Sequence, residues 1–264
     1  MSSNFLQMIT EKTRERIDRV RTPEYIRGFR KRAEKVRTGR KPHTFREALS
    51  ETGRTNVIAE IKRASPSKGI INAGVNVAMQ ARRYAGGGAA AISVLTEPDH
   101  FQGTINDLMN IRAVAELPLL RKDFIIDEFQ IAEAAAAGAD AVLLIVAALT
   151  QDELGSLLRF AEDELGLDAL VEVHDRGELG RAVDAGAAVI GVNNRDLHSL
   201  QVTLDTSREL AAAKPQSSIF VAESGISTRA EIDELRGLGF DAFLIGETLM
   251  RSSDPGRSLE ELGA

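Results

Sequence analysis

Four ionisable side chains and an asparagine fall at or near the ends of short aliphatic runs. Val57-Ile58-Ala59-Glu60-Ile61-Lys62 carries an acid and a base two residues apart. Leu119-Leu120-Arg121-Lys122-Asp123-Phe124 brings a lysine to the end of its run, Leu170-Val171-Glu172-Val173 a glutamate, and Gly191-Val192-Asn193-Asn194-Arg195 an asparagine. Alternate residues of a strand share a face, so Ile58, Glu60 and Lys62 point one way, as do Leu120 and Lys122. If the runs are neighbouring strands in register, Glu60, Lys62, Lys122, Glu172 and Asn193 converge. A self-satisfied ionic plug is the plain alternative, but buried ion pairs stabilise poorly compared with apolar packing. Carboxylates and ammonium groups gathered in a cleft are better explained as tuned acids and bases.

Two further runs end differently. Ala222-Glu223-Ser224-Gly225-Ile226 and Ile245-Gly246-Glu247-Thr248 place small residues where backbone N–H groups can approach an anion. Each glycine alone is compatible with a simple turn. Together, and in this order along the chain, Gly225, Gly246 and the backbone of Glu247 make a candidate phosphate site, with the Glu247 carboxylate turned away from it.

The elements that must position these groups repeat. Strands are expected at Val57–Lys62, Ala90–Leu95, Pro118–Lys122, Ala141–Val146, Ala169–Val173, Val189–Asn193, Ile219–Ala222 and Ala242–Ile245. Helical segments fall between them, among them Glu128–Ala137, Gln151–Leu165, Arg176–Ala185 and Thr228–Leu238. One joint recurs: Gly138-Ala139-Asp140-Ala141, Gly186-Ala187-Ala188-Val189 and Gly239-Phe240-Asp241-Ala242 each end a helix and open a strand, with glycine as the left-handed C-terminal cap. Eight such units close into a (β/α)8 barrel, in which chemistry collects at the C-terminal strand ends and phosphate sits after strands seven and eight. An open doubly wound sheet is the alternative, weakened because no GxGxxG follows the first strand.

Length and composition agree with one large α/β domain plus an extension. The 264 residues are 43% hydrophobic and 27% charged, which excludes disorder. No basic-then-apolar leader opens the chain and no apolar run reaches membrane-span length, so a cytoplasmic protein that binds no membrane is expected. Without cysteine there are no disulfides and no thiolate chemistry. His43, His100, His174 and His198 show no ligand-like spacing, so no metal is expected. The net charge of −6 is uneven, because residues 1–40 hold twelve Lys or Arg against five Asp or Glu. The acidic remainder argues against nucleic acid. Apolar Phe5, Met8, Ile9, Ile17, Val20, Ile26, Phe29 and Val36 predict helices that dock on the barrel. The division expected is residues 1–50 as a helical extension over the barrel mouth and 51–264 as the barrel, with the arm's charge attracting an anionic ligand.

The block from Val57 to Gly69, which continues Arg63-Ala64-Ser65-Pro66-Ser67-Lys68-Gly69, closely resembles the signature of indole-3-glycerol phosphate synthases. The likeness runs on through Ser93-Val94-Leu95-Thr96-Glu97, Leu120 to Ile125, Val171-Glu172-Val173, Gly191 to Leu197 and Ala222 to Ile226, in the family's order. The resemblance implies a cofactor-free, decarboxylating and dehydrating ring closure of 1-(2-carboxyphenylamino)-1-deoxyribulose 5-phosphate in tryptophan biosynthesis. It assigns Lys122 as the acid at the ribulose carbonyl, with Lys62 holding anionic groups and assisting proton transfer. Glu172 is the acid and base of dehydration and Glu60 its electrostatic partner. Asn193 and Ser224 orient the substrate, and Glu223 is counted among the substrate contacts. Arg195 and Ser65 would meet the anthranilate carboxylate, and Phe124 and Leu95 would border its ring. Association with other tryptophan-pathway enzymes is the partner arrangement implied. A phosphoribosylanthranilate isomerase is a rival, but it would be expected to use a Cys and Asp pair. A non-catalytic sensor or scaffold barrel is the other, and it would not need the full set of acids and bases.

Overall fold

The computed structural model describes residues 3–197 and 199–264, so His198 lies outside the described residues. Eight parallel strands close into a barrel in chain order: β1 (Asn56–Ile61), β2 (Ala91–Leu95), β3 (Leu119–Lys122), β4 (Ala141–Ile145), β5 (Asp168–Val173), β6 (Val189–Asn193), β7 (Ile219–Glu223) and β8 (Ala242–Ile245), with β8 paired to β1. Three helices precede β1: α1 (Ser3–Val20), α2 (Pro23–Arg37) and α3 (Thr44–Leu49). One helix follows each of the first seven strands: α4 (Val77–Gly86), α5 (Ile105–Arg112), α6 (Glu128–Ala137), α7 (Gln151–Arg159), α8 (Arg176–Asp184), α9 (Asp205–Ala211) and α10 (Arg229–Gly237). Two follow β8, α11 (Glu247–Arg251) and α12 (Pro255–Leu262). The three recurring joints behave alike, with φ of +94° at Gly138, +86° at Gly186 and +102° at Gly239.

Boundaries shift by a residue from the sequence expectation at several strands, and two features were not expected. A short antiparallel hairpin, Ala64–Ser65 with Gly69–Ile70, follows β1. The helix expected over Gln151–Leu165 ends at Arg159 and continues as one π-helical turn, Phe160–Glu164. That turn leaves Glu162 3.2 Å from Arg46 of α3.

Period-two alternation sorts the strand residues into two cores. Outward residues pack under the helices. Inward ones, such as Ile58, Leu120, Leu143, Leu170 and Val221, fill the barrel together with Phe45 and Leu49 of α3. Helix α3 therefore closes the barrel's N-terminal end. Polar groups fasten it there: the buried Asp168 carboxylate accepts from the Arg46 backbone N–H at 2.8 Å and from its guanidinium, while His43 Nδ1 lies 3.1 Å away. Asn56 Nδ2 donates to the Leu49 carbonyl at 2.8 Å.

The rest of the extension runs from the mouth of the barrel to that floor. Near the mouth, Phe5 meets His100 edge-on at 5.2 Å, and Arg16 and Arg21 lie 3.7 and 3.3 Å from Glu97 and Asp127. Down the flank, Phe29 packs on Phe129 of α6 at 5.3 Å, and Arg30 lies over the Phe160 ring. At the lower end Arg37 donates to the Gly166 carbonyl at 2.8 Å and lies 3.6 Å from Asp140. Ile9, Ile17 and Ala33 are buried, whereas Val20 and Val36, expected to dock, are exposed. Part of the arm's charge is paired with the barrel. Arg16, Arg21, Arg30, Arg37 and Arg40 each lie within ion-pair distance of a barrel carboxylate.

Truncating the floor plug tests its weight. Phe45→Ala removes a fully buried ring and should cost about 3–5 kcal/mol in urea unfolding. The change should appear in the denaturation midpoint, with kcat of the folded fraction near wild type.

Candidate active site

The C-terminal strand ends open into a cleft of about 410 Å³ that is lined by every site residue named from the sequence, from Glu60 on β1 to Glu247 after β8. At its base Lys122 Nζ lies 3.1 Å from Glu172 Oε2 and 3.4 Å from Glu223 Oε2. A second pair stands beside it, Lys62 Nζ 2.6 Å from Glu60 Oε1. Glu60, Glu172 and Glu223 are all buried. Glu223, expected as a substrate contact, thus belongs to the same ionic cluster as Lys122.

Burial and charge push the two carboxylates beside Lys122 apart. Burial raises the Glu172 carboxyl, but the Lys122 ammonium, His174 and a hydrogen bond from Asn193 outweigh it and hold the group below the usual carboxylate range. Burial also raises Glu223, Lys122 opposes only in part, and Glu172 and Glu60 add repulsion, so Glu223 is pushed up to about 8. Glu223 Oε1 is buried without a hydrogen-bond partner, a state that a neutral acid tolerates better than a carboxylate. Lys122 itself would be lowered by burial, but Glu172, Glu223 and Glu60 keep it above the ordinary lysine value. The two carboxyl groups beside the one ammonium are therefore shifted in opposite directions, Glu172 toward the anion and Glu223 toward the neutral acid.

Outward-facing residues hold the end of β3 in place. Arg121, buried between barrel and helices, donates to Thr96 Oγ1 at 3.1 Å, to the Gln130 carbonyl at 2.8 Å and to Asp123 Oδ2 at 3.1 Å. With its flanking residues pinned outside, Lys122 is fixed facing inward. Two glycines clear the space above. A Cβ on Gly191 would strike Glu223 Oε1, and one on Gly246 would strike Glu60 Oε1 and stand 3.0 Å from Lys62 Nζ.

The comparisons with known proteins meet this geometry. The model of the family described as indole-3-glycerol phosphate synthase matches residues 6–262. The chain belongs to the indole-3-glycerol phosphate synthase family. It is 47% identical over 262 residues to the indole-3-glycerol phosphate synthase of Koribacter versatilis (strain Ellin345), covering 98% of this chain and 99% of that one. It is 48% identical over 260 residues to that of Aquifex aeolicus (strain VF5), covering 98% of each. Two solved structures are similar in fold alone. Thiamine phosphate pyrophosphorylase from Pyrococcus furiosus has a TM-score of 0.60 at 18% identity, over 79% of this chain and 93% of that one. The 3-hexulose-6-phosphate synthase of Salmonella typhimurium has 0.63 at 14%, over 79% and 96%. As an indole-3-glycerol phosphate synthase, the protein is a decarboxylating lyase of tryptophan biosynthesis.

The rim of the synthase cleft separates into an aromatic and a polar side. Leu95 and Phe124, named from the sequence, are joined by Phe101, 6.4 Å from Phe124 and also in the cleft. Its loop is shaped by the buried Glu97 carboxylate, which accepts from the backbone N–H groups of Asp99, His100 and Phe101. Phe5 and Leu6 of α1 reach the same cleft. On the polar side, the hairpin after β1 brings Ser65 and Ser67 in, and Arg195 donates to Ser67 Oγ at 3.1 Å and to the Leu200 carbonyl at 3.0 Å. Ser224 and Gly225, with φ of +66° and +81°, turn the chain sharply at the end of β7. The Glu247 carboxylate is held by Arg251 at 3.1 Å and lies 3.7 Å from Lys68.

His174 is the group that sequence reasoning passed over. It directly follows β5, its Nε2 3.4 Å from Glu172 Oε1 and its Nδ1 3.0 Å from Glu178 Oε2. Spacing among histidines carried no signal, but its position two residues beyond Glu172, continuing the strand's alternation, did.

The glycine clearance can be tested directly. Gly246→Ala forces the Glu60–Lys62 pair to shift, and displacement of catalytic groups by an ångström costs on the order of 10²-fold in rate. Steady-state kinetics should show that loss in kcat/KM, with an unfolding midpoint close to wild type.

Proposed function

We propose that the Lys122 cluster performs the acid and base steps of the ring closure of 1-(2-carboxyphenylamino)-1-deoxyribulose 5-phosphate. The observation that carries this reading is one ammonium set 3.1 Å from Glu172 and 3.4 Å from Glu223 at the base of the cleft, with Glu172 held low by its neighbours and Glu223 pushed up by burial. The ring carbon that bears the carboxylate attacks the ribulose carbonyl carbon. The carbonyl oxygen, becoming an alkoxide, takes a proton from Lys122, which is protonated in the free enzyme and meets in the alkoxide a far stronger base than its carboxylate neighbours. The bond to the carboxyl carbon then breaks, carbon dioxide leaves, and its bonding electrons restore the aromatic ring.

Dehydration needs one proton delivered to the departing hydroxyl and another removed from the ribulose-derived carbon next to the nitrogen. Glu172, ionised, is the group for removal; Glu223, protonated, is the group for delivery. Environments that push two neighbouring acids apart in this way commonly mark such a division of labour. Lys62 holds anionic substrate groups with Glu60 as its partner, and Asn193 and Ser224 orient the sugar. Ser65 and Arg195 are assigned to the anthranilate carboxylate, and Leu95 and Phe124 to its ring.

The phosphate is assigned to the backbone at Gly225, Gly246 and Glu247, with the Glu247 carboxylate drawn off by Arg251 and Lys68. Residues 1–50 act in this reading as a helical extension over the mouth of a 51–264 catalytic barrel. The reading needs no cofactor and no metal. It includes a cytoplasmic location, a phosphorylated small-molecule substrate rather than nucleic acid or membrane, and association with other tryptophan-pathway enzymes as the protein partners.

Lys122→Met should lower kcat by about 10²–10⁴-fold, the usual worth of a general acid, with folding retained. A variant that keeps more than about a tenth of the wild-type rate would remove Lys122 from that role. If Glu223 is the proton donor, kcat/KM in the wild type should fall above pH about 8 as that acid ionises. Glu223→Gln should lose both rate and limb; an unaltered limb in that variant would exclude Glu223 as its source.

A further inference from the structure

Glu172 and Glu223 face Lys122 at nearly equal distances, 3.1 and 3.4 Å, and both are buried. Lys122 by itself gives little reason for one to be ionised and the other not. The environments differ behind the carboxylates. Glu172 Oε1 lies at ion-pair distance, 3.4 Å, from His174 Nε2, whereas Glu223 Oε1 faces Gly191; among the described residues neither Nε2 nor Glu223 Oε1 has a hydrogen-bond partner. We infer that His174, clamped between Glu172 and Glu178, is a positioning residue that decides which of the two carboxylates beside Lys122 carries the proton. The inference rests on the assignment of Glu172 as base and Glu223 as acid.

The clamp is built from two elements. Glu178, in the first turn of α8, accepts from the His174 backbone N–H at 2.8 Å and lies 3.0 Å from its Nδ1. Its carboxylate therefore fixes the ring through both backbone and side chain, and leaves Nε2 3.4 Å from Glu172 Oε1. Charged groups around the imidazole are nearly all acidic. Glu172 lies on one side and Glu178 on the other. Asp175, the N-cap of α8, and Asp196, hydrogen-bonded within its own loop, line the same second cleft as the ring. Helix α1 contributes Leu6, Gln7 and Thr10 there and no charge. Lys122 lies beyond Glu172, 3.1 Å from its Oε2. Burial disfavours a charged ring, but Glu172 and Glu178 outweigh it and push His174 up to about 10. An imidazolium in this seat favours the anion at Glu172 and leaves the single proton to Glu223, where a neutral acid suits the unpartnered Oε1.

The effect on rate has a definite sign. Removing the imidazolium takes a positive charge from the carboxylate pair, so the pair gives up its last proton less readily. The alkaline limb of kcat/KM, placed near pH 8 by Glu223 in the wild type, should move up by about one unit in His174→Asn, since one nearby charge shifts a carboxyl by about 1–3 units. The plateau rate should fall, because the proton now spends part of its time on Glu172. His174→Lys, which restores a cation, should return the limb toward its wild-type position. A limb that stays in place in a folded His174→Asn, or one displaced equally in the asparagine and lysine variants, overturns the inference.

A measurement on the wild type avoids any problem of folding. The ¹⁵N shifts of the His174 ring should report two protonated nitrogens from pH 6 to about 9, whereas a ring titrating near the ordinary value of about 6.5 would count against the proposal. Failure of the underlying reading looks different. If Glu223→Gln keeps the alkaline limb, the acid assignment fails. If Glu223→Gln loses the limb while His174→Asn leaves it unmoved, the assignment stands and only the role given to His174 falls.

Discussion

One ammonium buried between two carboxyl groups governs the upper half of this barrel. Lys122 cannot lie at the base of the cleft unpaired, because an uncompensated buried charge costs several kcal/mol. Two ionised carboxylates around it would carry the opposite imbalance. The arrangement is neutral only when Glu223 holds a proton. The surroundings follow that constraint: Glu60 has Lys62, Glu172 has Lys122, and the glutamate behind His174 balances the imidazolium. Even the space is allotted by charge, since Gly191 and Gly246 lie where any side chain would strike Glu223 or the Glu60–Lys62 pair.

The same need for pairing explains the basic arm. Its arginines meet carboxylates on the barrel flank, from Glu97 and Asp127 near the mouth to Asp140 near the floor. Exposed pairs such as Arg21–Asp127 contribute little individually, whereas Arg37 and Asp140 are buried together. The greater effect of the pairs is to set the track along which Ile9, Ile17 and Ala33 bury and along which α1 brings Phe5 and Leu6 to the cleft. At the end of the track α3 inserts Phe45 and Leu49 into the barrel interior. One segment thus borders the substrate cleft and seals the opposite end, which couples the shape of the mouth to the packing of the core.

The barrel and most of its site were legible in the residues. Alternation within single strands put Glu60 with Lys62 and Lys122 with Leu120, and the recurring glycine joint marked the repeated unit. The resemblance added Ser224, Arg195 and the aromatic border. What escaped had no local period to announce it. The hairpin at Ala64–Ser65 and Gly69–Ile70 has strands of two residues, too short for alternation to register. Phe101 enters the cleft from a loop folded around Glu97, and α3 looked like part of a surface extension because nothing in its six residues says that Phe45 and Leu49 fill a barrel. Val20 and Val36 failed in the opposite sense: apolar residues on an amphipathic helix need a partner surface, and the barrel flank does not reach them.

By itself the sequence determined the eight βα units, the inward face of each strand and the chemical types that this face presents, because those depend on backbone periodicity and side-chain identity. Only the tertiary structure decided how the charges are shared. Whether Glu223 or Glu172 is the neutral acid, whether His174 is an imidazolium and whether the arm's arginines are free or paired are set by distances between residues far apart in the chain and by their burial. Coulomb energies in a low-dielectric interior change by kilocalories over an ångström, and no local pattern in the sequence encodes that ångström.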